Sequence, residues 1–106
     1  MIQTISAPHL KQWIDDGEAV LIDVREPDEY RAEHIVGSIH LPLGTITAGQ
    51  LPDLQGKKLV IHCRSGKRSE SACQKLMAES PALQPINLSG GIVGWVEAGL
   101  ETRKGG

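Results

Sequence analysis

Apolar residues come in short blocks along this chain, and their spacing changes from block to block. Leu10, Trp13 and Ile14 recur at helical spacing behind Ser6 and Pro8. That pattern predicts a helix capped by Ser6, with proline in its first turn, closed by Gly17. Ala19 to Val24 is apolar throughout except for Asp23, as in a strand buried on both faces. Pro27 opens a short helix to about Ala32, and Gly37 turns the chain into a short strand from Ser38 to Leu41, stopped by Pro42. A loose helical stretch with Gly44, Gly49 and Pro52 reaches Gly56. Leu59 to His62 is the most strand-like run, and a helix from Ser69 to Glu79 carries the apolar stripe Ala72, Cys73, Leu76 and Met77. Pro85 to Leu88 reads as another strand, Gly90-Gly91 leads into a last helix from Ile92 to Ala98, and the polar tail from about Glu101 is expected to fray.

Strands therefore alternate with helices along the chain, which means βαβ units and a central parallel sheet with helices on both faces. With 106 residues, residues 1–106 make one α/β domain with a single core. In such sheets the binding crevice lies beyond the carboxyl ends of the strands. Asp23-Val24-Arg25 and His62-Cys63-Arg64 both fall at such ends, so one rim should carry both.

Composition narrows the chemistry. The chain is 40% apolar with a net charge of −2, which argues against nucleic acid as its partner, since that calls for a broad basic surface. Its apolar runs are too short to span a membrane. Two cysteines make no disulfide framework, and without a signal segment a reducing, cytoplasmic setting is expected. Against this slightly acidic background, Arg64, Lys67 and Arg68 form a local basic excess, suited to a small anion.

Cys63 stands between a strand and a helix, at the start of that basic, glycine-bearing loop. Backbone N–H groups and a positive helix end would surround one sulfur, and this setting favours the reactive thiolate. A buried inert thiol would not be expected to open such a loop. Gly66 is expected to supply a backbone conformation that lets N–H groups converge. Arg68 is expected to point back toward the sulfur, whereas Arg64 and Lys67 read equally as solvated surface charge. A carboxylate at Asp23, within a buried strand, needs a partner.

Four segments of the chain resemble the single-domain rhodanese family of sulfurtransferases. They are Leu21-Ile22-Asp23-Val24-Arg25-Glu26, Glu33-His34-Ile35-Val36-Gly37-Ser38-Ile39-His40-Leu41-Pro42, His62-Cys63-Arg64-Ser65-Gly66-Lys67-Arg68-Ser69, and Gly90-Gly91 with Trp95 and Gly99. Glu33, Val36 and Glu101 depart from the family pattern, all in connecting turns. The resemblance implies a rhodanese-like fold with about five strands and a persulfide carried on Cys63. The donor would be thiosulfate or another small anionic sulfur compound. The acceptor would be cyanide, a thiol or a sulfur-carrier protein. The loop from Arg64 through Ser65, Gly66, Lys67 and Arg68 to Ser69 would bind substrate and hold the persulfide, with no metal or other cofactor. Asp23 would brace the site by pairing with a loop arginine, Arg68. Arg25 would do likewise or contact Glu70.

Cysteine phosphatases and arsenate reductases of related fold place five residues between cysteine and arginine; here four separate Cys63 from Arg68, and position 69 is Ser69. A non-catalytic interaction module would commonly lack the cysteine or its cations. A sulfur relay to a carrier protein would use the same chemistry on Cys63. Cys73 lies on an apolar stripe and reads as core. Trp13 and Trp95 also read as core. His34, His40 and His62 lack metal-ligand spacing, and strand alternation turns His62 away from Cys63.

Overall fold

A computed structural model describes residues 2–105. Five strands make one parallel sheet: β1 (Gln3–Ile5), β2 (Ala19–Asp23), β4 (Ile39–His40), β5 (Lys58–His62) and β6 (Ile86–Leu88), in the spatial order β1-β6-β5-β2-β4. Four helices accompany them: α1 (Ala7–Asp15), α2 (Pro27–Ala32), α3 (Lys67–Glu79) and α4 (Gly91–Glu97). A second, two-stranded antiparallel ribbon joins β3 (His34–Ile35) to β7 (Thr102–Arg103). This is the α/β architecture that the alternation of blocks predicts.

Both faces of the sheet are covered. On one, Leu10 of α1 and Ile92 and Trp95 of α4 pack with Leu21, Val60 and Leu88. On the other, Ala72, Cys73 and Leu76 of α3 pack with Ile22, Ile61 and Cys63, and Ile46 from the segment after β4 closes this side. The alternation of residues along β5, with Val60 facing one way and Ile61 and Cys63 the other, sends the Cys63 sulfur toward α3. Cys73 lies in this second core, and burial together with the Glu70 charge pushes its thiol up to about 12.

Three short strands carry no readable pattern. β1 is an edge strand that buries only Ile5, so backbone pairing defines it more than side chains do. β3 and β7 are two residues each. The tail expected to fray from Glu101 is instead held. Thr102 and Arg103 pair with Ile35 and His34, the Thr102 hydroxyl donates to Glu33 Oε2 at 2.5 Å, and Trp95 Nε1 donates to the Glu101 carbonyl at 2.9 Å. Glu33, one of the turn residues that depart from the family pattern, thus anchors the tail. Gly106 lies outside the described residues.

Ending the chain at Leu100 is therefore expected to cost about 2 kcal/mol of stability, from several lost hydrogen bonds. Urea unfolding of the shortened chain tests this. An unchanged midpoint would mean that the tail contributes nothing.

Candidate active site around Cys63

Cys63 follows β5 directly, and its side chain is 1% exposed at the amino end of α3. Its sulfur accepts from the Gly66 N–H at 3.1 Å and from the Ser69 hydroxyl at 3.4 Å. Burial pushes the thiol up. The Ser69 hydroxyl and the N–H groups of Ser69, Gly66 and Ser65 outweigh that and leave it below its ordinary value. The loop therefore holds a buried anionic sulfur by dipoles.

Two glycines give the loop this orientation. Gly66 caps α3 with φ +115°, a left-handed conformation that L side chains rarely adopt. Gly91, at the start of α4, lies so near the loop that a Cβ there would sit 2.4 Å from the Arg64 carbonyl oxygen and 2.5 Å from that of Cys63. That approach lets the N–H groups of Ile92 and Val93 donate to the carbonyls of Cys63 and Arg64, at 3.0 and 3.2 Å. The carbonyls point to α4, and the N–H groups that follow are free to face the sulfur.

Asn87 of β6 completes the cradle. Its Nδ2 donates to the Gly66 carbonyl at 3.0 Å, and its Oδ1 lies 2.5 Å from the Ser69 hydroxyl, whose single proton is shared between Asn87 and the sulfur. Sequence reasoning did not single it out, although a polar residue between Ile86 and Leu88 in a strand carries the same signal as Asp23: a buried amide needs partners.

The loop cations go elsewhere than expected. Arg68 does not pair with Asp23. Its guanidinium forms a two-pronged ion pair with Glu29 of α2, at 2.6 and 2.9 Å. Glu29 is already in place because it caps α2, accepting from the Glu26 N–H at 3.0 Å. Arg68 still lies near enough to the sulfur for a Cys63 thiolate to favour its charge, after the larger effect of Glu29. Asp23 is taken by Arg25, whose Nη2 reaches Oδ2 at 2.7 Å and whose Nε lies 3.0 and 3.1 Å from the two oxygens. Burial raises the Asp23 carboxyl, but the hydrogen bonds and charge of Arg25 bring it below its usual range. Arg25 also donates to the Glu33 carbonyl at 2.6 Å; it makes no bond to Glu70. The reason is reach: Arg25 is two residues from Asp23 and folds back onto it, leaving Arg68 to the acid on α2.

Arg64, Ser65 and Lys67 are exposed. A groove of about 500 Å³ opens beside Arg64, lined also by Arg25, Glu29 and the α4 residues Val93, Val96 and Glu97. The Tyr30 ring stacks with both His34 and His40, with ring centroids 4.1 and 4.7 Å away. Among the described residues no three His, Cys, Asp or Glu side chains are grouped to hold a metal, and no helix is long and apolar enough to cross a membrane.

The geometry makes two predictions. Ser69→Ala should raise the pH midpoint of Cys63 alkylation by iodoacetamide; an unmoved midpoint would show that the hydroxyl does not stabilise the thiolate. The second concerns Glu29, whose carboxyl Arg68 holds at about 2 against an ordinary 4.5. A depressed carboxyl stabilises the fold fully above its unfolded value, and this contribution is lost as pH falls through the folded value. Between pH 4.5 and 2, the intact protein should therefore lose more stability than Glu29→Gln. Parallel acid-unfolding curves would contradict this.

Residues 6–98 match the rhodanese-like domain family. A protein of Allochromatium vinosum named sulfurtransferase is 36% identical, over 94% of this chain and 94% of its own length. An uncharacterized protein of Synechocystis sp. is 40% identical over 95% of this chain, which spans only 56% of that relative. The crystal structure of thiosulfate sulfurtransferase from Pseudomonas aeruginosa superposes with a TM-score of 0.84 at 25% identity, covering 99% of this chain and 21% of that one. The chain belongs to the rhodanese-like domain family, whose members include proteins named sulfurtransferases.

Proposed function

We propose that this protein transfers sulfane sulfur through a persulfide on Cys63. The observation that carries the reading is the buried sulfur at the start of α3 with N–H and O–H donors aimed at it. Such a cradle suits an anion that stays attached to the protein. The Cys63 thiolate attacks the outer sulfur of an anionic donor such as thiosulfate; the donor's S–S bond breaks, and sulfite leaves with the electron pair. The terminal persulfide sulfur then carries the charge, held by the loop N–H groups from Ser65 to Ser69. A thiophilic acceptor, cyanide or a thiol, attacks that sulfur, and the Cys63 thiolate is restored.

The cations divide the work. Arg64 and Lys67, exposed at the mouth, attract the donor. Arg68 is engaged by Glu29 and braces the loop against α2, and Asp23 with Arg25 supports the rim from β2. A relay to a protein acceptor is the second reading. It is favoured by the groove beside Arg64, where Val93 and Val96 are 40% and 46% exposed. Transfer that proceeds to a carrier protein but poorly to cyanide would select the relay.

Incubation with thiosulfate followed by intact-mass measurement is the direct test. The wild type should gain one sulfur atom and Cys63→Ser none. No gain in the wild type, or an equal gain in the variant, would defeat the reading. Arg68→Ala should also slow loading more than Cys73→Ala, because it frees the loop from α2.

A further inference from the structure

One buried titratable group has no part in this chemistry. His62 ends β5, immediately before Cys63, and is fully buried. Its Nδ1 lies 3.1 Å from the Cys63 carbonyl oxygen, and its Nε2 lies 3.5 Å from Asp23 Oδ2. A carbonyl oxygen only accepts, so Nδ1 carries a proton and donates. In the neutral ring Nε2 is then a bare acceptor facing a carboxylate. Among the described residues it is the buried side-chain atom left without a hydrogen-bond partner. Buried polar atoms are nearly always satisfied. A ring set between two acceptors has room for two protons.

The surrounding charges say when the second proton is favoured. Asp23 faces His62 from β2, in direct register with it, and Arg25 follows on the next turn. His40 of β4 occupies the other side of Asp23, with Nε2 on the Arg25 carbonyl at 2.7 Å. Ile92 and Trp95 of α4 and Leu88 of β6 bring only apolar surface to this face of the sheet. Burial holds the His62 imidazole below its ordinary value despite the facing Asp23 carboxylate, so the ring is neutral at rest, and Arg25 and Asp23 cancel. Negative charge on Cys63 is met by the loop dipoles, and the nearby Arg68 is held by Glu29, so a further positive charge joins it only once His62 is an imidazolium.

We propose that His62 is a positioning residue that takes up a proton from solvent when Cys63 becomes anionic. The imidazolium then bridges the Asp23 carboxylate and the Cys63 carbonyl. That carbonyl already accepts from the Ile92 N–H, so the added bridge fixes the first peptide of the loop while the sulfur bears charge. For a persulfide anion the inference rests on Cys63 being the sulfur carrier; for any other anion on that sulfur it does not.

Protein carrying ¹⁵N-histidine, alkylated on Cys63 with either iodoacetate or iodoacetamide, tests the coupling. The two adducts are alike in size and differ in charge. Cys73, buried and held at about 12, is spared. Ring-nitrogen NMR should show His62 protonating about one pH unit higher in the carboxymethyl adduct than in the neutral one. Equal midpoints, or a ring that stays neutral in both, would overturn the proposal. In addition, His62→Asn, which keeps a donor but cannot gain a proton, should raise the pH midpoint of Cys63 alkylation; an unmoved midpoint would count against it. Sulfur gain from thiosulfate is read separately by mass. Shifted adducts without sulfur gain would remove the carrier role alone, and sulfur gain with unshifted adducts would remove the role of His62 alone.

Discussion

The direction of the peptides between Cys63 and Ser69 is the constraint on which this site depends. A thiol buried to 1% exposure is discouraged from ionising by desolvation alone. What reverses the balance is that the Ser69 hydroxyl and the N–H groups of Ser69, Gly66 and Ser65 present their positive ends to the sulfur. This requires the carbonyls of Cys63 and Arg64 to be occupied elsewhere, and α4 occupies them. The approach of α4 is possible only because residue 91 has no side chain. The helix that seems remote from the chemistry is thus what turns the loop to face it.

Charge in the site is mostly paired, and this shapes how the loop can act. Arg25 is committed to Asp23 and Arg68 to Glu29. The first pair is buried, where removing one partner strands the other and costs far more than the pair itself contributes. The second is half-exposed, where solvent weakens an ion pair; its value lies in joining the loop to α2. The sulfur is left to dipoles, which cannot be drawn away by a competing counter-ion as a mobile side-chain cation can.

Much of this was legible in the sequence. The apolar run before Cys63 and the glycine after it placed the thiol at a strand end and gave the loop its turn, and Asp23 announced a buried partner. The identity of that partner was not legible, because it depends on which of two arginines the turn after β2 leaves within reach. Asn87 and Gly91 act through contacts with residues 18 or more positions away, and local pattern holds no trace of those. β3 and β7 are too short to have a period. The held tail depends on Glu33 and Thr102 meeting across the fold.

The order of strands explains why the cradle is built as it is. β5 is the middle strand of five, with β6 on one side and β2 on the other. Each neighbour sends one buried polar side chain to the level of Cys63: Asn87, in register with Ile61, and Asp23, in register with His62. Asn87 fixes the loop on the α3 face and Asp23 meets His62 on the opposite one. The position of the sulfur is therefore set from three adjacent strands, the most rigid part of an α/β sheet. Freedom remains at the rim, where Arg64, Ser65, Lys67, Val93 and Val96 are open to solvent or nearly so. Changes there leave the dipoles around the sulfur undisturbed, so the solvent-facing surface of the rim and the stabilisation of the thiolate reside in separable parts of one small fold.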